Sequence, residues 1–196
     1  MPRRLIHTPA AALRRFRDGT SGTIAIEAVI LLPILFWAYL AMFSFFDMLR
    51  QQALNQKAAY TLADMVSRET DYINDTYIDN AESLFRSMIR SDDTTAIRIS
   101  VLKWDEDAGV FEVDWSESRG PSTAMDNDGS ATLANRLPVV PSDERVILLE
   151  TWTTYQIPFA IGMDDFGMNT FTFVRPRFAP QVCFSNAAEP VNCVEV

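Results

Sequence analysis

The chain has 196 residues, enough for one compact domain plus a membrane anchor, and carries a formal net charge of −9. An acidic balance argues against nucleic-acid binding, which needs a basic surface. The only histidine, His7, stands near the N-terminus, so the rest of the chain has none to offer a Ser-His or Cys-His arrangement. Carboxylates are plentiful, but no pair of them stands out as a hydrolytic acid and base.

The charge is unevenly placed. Residues 1–22 hold Arg3, Arg4, Arg14, Arg15 and Arg17 against the single acid Asp18, which leaves 12 basic and 25 acidic residues after Gly22, a formal −13. Next comes Gly22-Thr23-Ile24-Ala25-Ile26-Glu27, then 19 residues without a charge, Ala28 to Phe46. In a helix, at about 1.5 Å per residue, that run reaches roughly 29 Å, close to the hydrocarbon thickness of a bilayer. It is too long for the apolar core of a cleaved secretory signal, and no small-x-small site follows it. Arginines before the span and few after it predict a cytoplasmic N-terminus and an exported C-terminal part. Glu27 is the anomaly. A carboxylate at the centre of such a helix costs about 2.5–3.5 kcal/mol, and less near the end.

After Asp47 the helical pattern runs on without a breaker. At about 100° per residue, Leu54, Ala58, Leu62, Met65 and Val66 gather on one side, and Arg50, Lys57, Asp64 and Arg68 on the other. The pattern predicts one helix from about Thr23 to Arg68, apolar all round in its first half and amphipathic in its second. Pro33 removes the bond to the Val29 carbonyl and predicts a kink. A second helix is expected over Ile73 to Arg90, with Ile73, Tyr77, Ile78, Ala81, Leu84, Phe85, Met88 and Ile89 on its apolar face.

The period then falls to two. Ile97, Ile99 and Val101 alternate with polar residues, as do Phe111, Val113 and Trp115, and the Asp105–Gly109 connection makes the two an antiparallel hairpin. Trp104, Trp115 and Trp152 read as core residues. Arg119 to Asp143, rich in Pro, Gly, Asp and Ser, reads as a surface loop with one helical turn near Leu133. Within it, Asp126-Asn127-Asp128-Gly129 fails the calcium-loop pattern, because the first and twelfth positions would be Ala124 and Asn135; it reads as a turn. Further strands are expected over Arg145 to Pro158 and Phe171 to Arg177, the latter with Phe171, Phe173, Arg175 and Arg177 on one side.

Helices followed by antiparallel strands predict an α+β fold: a long N-terminal transmembrane and amphipathic helix, and a second helix, packed on a small antiparallel sheet. The expected organisation is a basic cytoplasmic leader over 1–22, a transmembrane helix over 23–49 and an exported α+β domain over 50–196. The two cysteines, Cys183 and Cys193, read as a disulfide in an exported domain, a short loop that would stabilise by roughly 2–3 kcal/mol. Nothing in the chain suggests a metal site, a cofactor or a small-molecule substrate.

Taken together, Gly22, the hydrophobic-Glu pair Ile26-Glu27, Pro33 six residues on, the hydrophobic run and the Gln/Ala-rich stretch Arg50 to Ala59 resemble the TadE-like family, minor pseudopilins of the tight-adherence (Flp) pilus machinery. The likeness covers about residues 19–66. Where the family commonly has Ala-Val-Glu-Phe-Ala, this chain has Ala-Ile-Glu-Ala-Val. The resemblance implies a bacterial inner-membrane, single-pass, non-enzymatic protein with a periplasmic domain. Its implied partners are a prepilin peptidase and other pseudopilins or pilus-assembly platform proteins. It also implies cleavage between Gly22 and Thr23, where glycine lets the backbone be approached closely. Thr23 then becomes the new N-terminus and Glu27 the fifth residue, able to pair with that amine or a neighbouring subunit's. An acid in the first turn also suits the helix dipole. Cutting after Gly19 would put the glutamate at the eighth position instead. Without cleavage the chain is a bitopic anchor, and the rival reading is a single-pass periplasmic scaffold or sensor unrelated to pili.

Overall fold

The computed structural model describes residues 19, 22–90, 95–138, 140–159, 162 and 164–186. The chain divides between Phe45 and Phe46 into two units. One helix, α1 (Thr23–Ser67), runs through the division without a break, and Pro33 stands inside it. In the first unit the apolar side chains from Ile24 onward face outward almost without exception.

The second unit is an α+β domain. Its sheet has four strands, β1 (Thr95–Asp105), β2 (Val110–Arg119), β3 (Arg145–Tyr155) and β4 (Phe166–Val174), in the order β2-β1-β3-β4. Every neighbouring pair is antiparallel. The β1–β2 hairpin closes where Gly109, at φ +67°, donates its N–H to the Asp105 carbonyl at 2.8 Å. The register slips once, between Val101 and Leu102.

One face of the sheet packs on two helices, as the sequence predicts. Ala58, Leu62 and Val66 of α1 meet Ile78, Ala81, Phe85 and Ile89 of α2 (Asp75–Ile89) over Ile97, Ile99, Ile147 and Leu149. Each of the larger side chains contributes about 1.5–3 kcal/mol by leaving water. The second helix is shorter than its apolar period suggests. Asn74 caps it, with Oδ1 accepting the Tyr77 N–H at 2.9 Å, and Arg90 ends it in the left-handed conformation. Ile73 therefore lies outside the helix and joins the core through a parallel bridge to Phe184. Leu84, counted with the apolar face, is 39 % exposed.

The opposite face corrects the reading of 119–143 as a surface loop. Met125, Leu137 and Val140 from that segment fold over Leu102, Phe111, Val146 and Leu148 to make a second core. The segment carries a short helix, α3 (Asn127–Leu133), and a 3-10 turn at Ala134–Arg136. Coverage on both faces explains Val146-Ile147-Leu148-Leu149 in β3, a buried run without alternation.

β4 begins five residues before the expected Phe171 and stops at Val174 instead of Arg177. Gly167 and Asn169 are poor strand formers and hid its start, while Pro176, which has no N–H to donate, follows its end. β3 likewise stops at Tyr155, short of Pro158.

Candidate functional site: a lone acid on an exposed apolar helix

Of the residues that carry the sequence signal, Gly22 directly precedes α1 and Glu27 and Pro33 lie in its first turns. Gly22 is exposed, and the space where a side chain would stand is open. The helix begins at Thr23, so its first turn contains no acid. Glu27 is the fifth helical residue, one position beyond that turn, so it is not the first-turn acid expected to suit the helix dipole. Its side chain is exposed and, among the described residues, pairs with no basic group. The arginines of the leader, Arg3 to Arg17, lie outside the described residues.

Around this carboxylate the surface is hydrocarbon. Ile24 is 78 % exposed, Val29 71 % and Phe36 65 %, and the same outward pattern continues through Trp37, Tyr39 and Met42. A water-soluble domain does not present so long a run of large apolar groups. By length and composition this is a helix able to cross a membrane, and only 6 % of its most apolar window is buried.

The end of the uncharged run shows a contact that no sequence pattern announces. Asp47, its first charged residue, accepts a hydrogen bond from the Tyr155 hydroxyl at 2.8 Å and lies 4.0 Å from Arg50. Burial and the Asp47 carboxylate push the Tyr155 hydroxyl up to about 12. Two stretches of chain distant in sequence thus meet at the first charge after the span. Only that position hints at a role for Asp47; nothing near Tyr155 does.

In the domain itself, four arginines form pairs that link its elements. Arg119 reaches Asp79 at 2.5 Å and Asp75 at 2.7 Å. Burial would lower its pKa, but the hydrogen bonds to Asp79 and Asp75 outweigh that and hold it above the ordinary value. Arg98 bonds Glu150 and lies over the Trp152 ring at 5.2 Å. Arg145 bonds Asp114 at 2.7 Å, and Arg175 pairs with Glu144. These contacts tie strands and helices together. Among the described residues no three His, Cys, Asp or Glu side chains gather as metal ligands.

The three tryptophans divide. Trp115 is buried in the core and donates its indole N–H to the Val182 carbonyl at 2.7 Å. Trp104 is half-buried against the second core, and Trp152 is half-buried under Arg98. Asp126, expected in a turn, starts α3: its Oδ1 accepts the Gly129 N–H at 2.8 Å.

Cys183 sits in a segment that is well held. The Ile73 N–H donates to its carbonyl at 2.8 Å, Ser185 donates back to Ile73 at 2.9 Å, and Asn186 and Asp75 exchange two hydrogen bonds. Cys193 lies outside the described residues.

No family model, curated protein or solved structure matches this chain. Its function is therefore argued from the residues and their geometry.

Proposed function

We propose that the chain is a membrane-anchored, non-enzymatic protein of TadE-like character that serves pilus assembly. Its first unit is the anchor, set in a bacterial inner membrane with the arginine-rich leader on the cytoplasmic side. Its acidic α+β domain stands in the periplasm. The carrying observation is Glu27: one exposed carboxylate, without a described partner, on an otherwise uncharged and outward-facing apolar helix.

A carboxylate in that setting is relieved by a positive companion. Processing by a prepilin peptidase after Gly22 supplies one, the amine of Thr23, one helical turn from Glu27. The same amine on an adjacent subunit or platform protein serves equally, and the bond then specifies lateral register. Open space at Gly22 suits a peptidase that must bind extended backbone. In the domain, the ordered hydrogen bonds on both sides of Cys183 suit a disulfide to Cys193 that fastens the C-terminal segment.

The direct test is the intact mass and N-terminal sequence of the protein purified from membranes that contain a prepilin peptidase. A chain beginning at Thr23 is expected. A chain that keeps its leader in the presence of an active peptidase favours instead a single-pass periplasmic scaffold or sensor. Thiol labelling before and after reduction tests the cysteines: no label before reduction and two labels after it are expected.

A further inference from the structure

The connection from β3 to β4 is longer than its task requires. Antiparallel neighbours are commonly joined by about two to five residues, and residues 106–109 suffice between β1 and β2. Between β3 and β4 the chain spends residues 156–165. Their sequence carries no charge between Tyr155 and Asp164, and most of it is apolar. Among the described residues of this connection, Ile157 is half-buried, Pro158 is exposed and Phe159 is 39 % exposed. Its two ends are tied, because Ile157 donates its N–H to Asp165 Oδ1 at 3.1 Å.

The place of this connection in the domain gives it a use. Tyr155, the last residue of β3, donates its hydroxyl to Asp47, the first charge after the span. Farther along, Asn55 Nδ2 meets Met168 Sδ at 3.3 Å, and the Arg177 N–H donates to the Ser67 carbonyl at 2.8 Å. Within the domain α1 and β4 therefore run side by side. β3 runs the other way, toward the end at which the chain enters the domain, and the connection projects beyond Tyr155 at that end. We propose that Ile157, Pro158 and Phe159 make a second, shallow contact with the bilayer that α1 crosses. Their side chains enter the boundary between headgroups and acyl chains on the domain's side of the membrane. Irregular backbone keeps its N–H and C=O groups within reach of water, which limits the depth to that boundary. Asp47, Asp164 and Asp165 stay at the aqueous level, and Tyr155 has the amphipathic character that suits it. A single helix leaves its domain free to swing and to turn about the span. A second contact fixes both, and so fixes which face the domain offers to its neighbours.

This contact rests on the first unit being a membrane anchor and is independent of the pilus reading. Its test uses the full chain in vesicles of phosphatidylethanolamine and phosphatidylglycerol. Phe159, Phe36 and Phe178 are replaced one at a time by the photo-crosslinker p-benzoylphenylalanine, and lipid adducts are measured by intact mass after irradiation. Phe36 reports the span, where it is 65 % exposed. Phe178 is 68 % exposed and follows Arg177, beside the far end of α1 at Ser67. Lipid adducts are expected at 36 and 159, with a yield at 159 at least about tenfold above that at 178. Folding of the 159 chain is checked by circular dichroism, and if it does not fold, the exposed neighbour Pro158 carries the probe. Adducts at 36 with none at 159, crosslinks from 159 to protein alone, or equal yields at 159 and 178 overturn the proposal and leave the anchor standing. No adduct at 36 overturns the anchor, and the second contact with it.

Discussion

Single residues decide how this chain closes. Gly120, at φ +80°, brings its Cα so near β1 that a Cβ would lie 2.2 Å from the Thr95 carbonyl oxygen. Gly120→Ala therefore combines a disfavoured backbone with a clash against main chain. Its expected cost is about 2 kcal/mol or more, read as a lower midpoint in denaturant titration. Tyr155 offers a different handle. Its hydroxyl titrates at about 12 in the folded protein against an ordinary 10.0, held up by burial and by Asp47. A folded pKa raised above the unfolded one means that this contribution is complete below pH 10 and is lost as pH climbs toward 12. Wild type should thus lose more stability than Tyr155→Phe across that window, in thermal melts run at a series of pH values. Equal losses would contradict the assigned hydrogen bond.

Among the elements, those with a clean period are legible in the sequence and those shaped by tertiary cover are not. The apolar stripes of α1 and α2 read correctly because only one side of each faces the core in this domain, as Leu62, Ile78 and Phe85 show. The boundaries are harder. The α2 start is set by the Asn74 side chain, and Ile73 looks helical only because it is buried, through a bridge to Phe184 more than a hundred residues away. The 119–143 segment is unreadable as a layer, since Met125, Leu137 and Val140 are scattered among turn residues and gain their role from the sheet beneath. The glycine and asparagine of β4 make it look short for a similar reason: pairing with β3 overrides weak local preference. A direct comparison tests the α2 packing. Phe85 is fully buried while its neighbour Leu84 is 39 % exposed. Phe85→Ala should destabilise by about 3–5 kcal/mol, and Leu84→Ala by well under half of that. Similar losses at both positions would mean that the helix is rotated from the orientation described.

At the level of the whole molecule, the chain joins an outward-facing apolar helix to an acidic domain in which Arg119, Arg98 and Arg145 are each paired with a carboxylate. The apolar helix is legible because its uncharged run is long enough to cross a bilayer, and Glu27 is legible because it stands directly before that run. If pairing with a positive group is why Glu27 persists, removing its charge should leave the anchor intact, even slightly easier to insert, and disable only what depends on the pair. The most direct measurement is therefore co-purification of Glu27→Gln from membranes, with its neighbouring pilus subunits quantified and surface fibres counted. The expected result is wild-type abundance and membrane retention with subunit recovery and fibres reduced at least about tenfold, the loss of one strong charge pair. Undiminished fibres and undiminished subunit recovery in that variant would contradict the account.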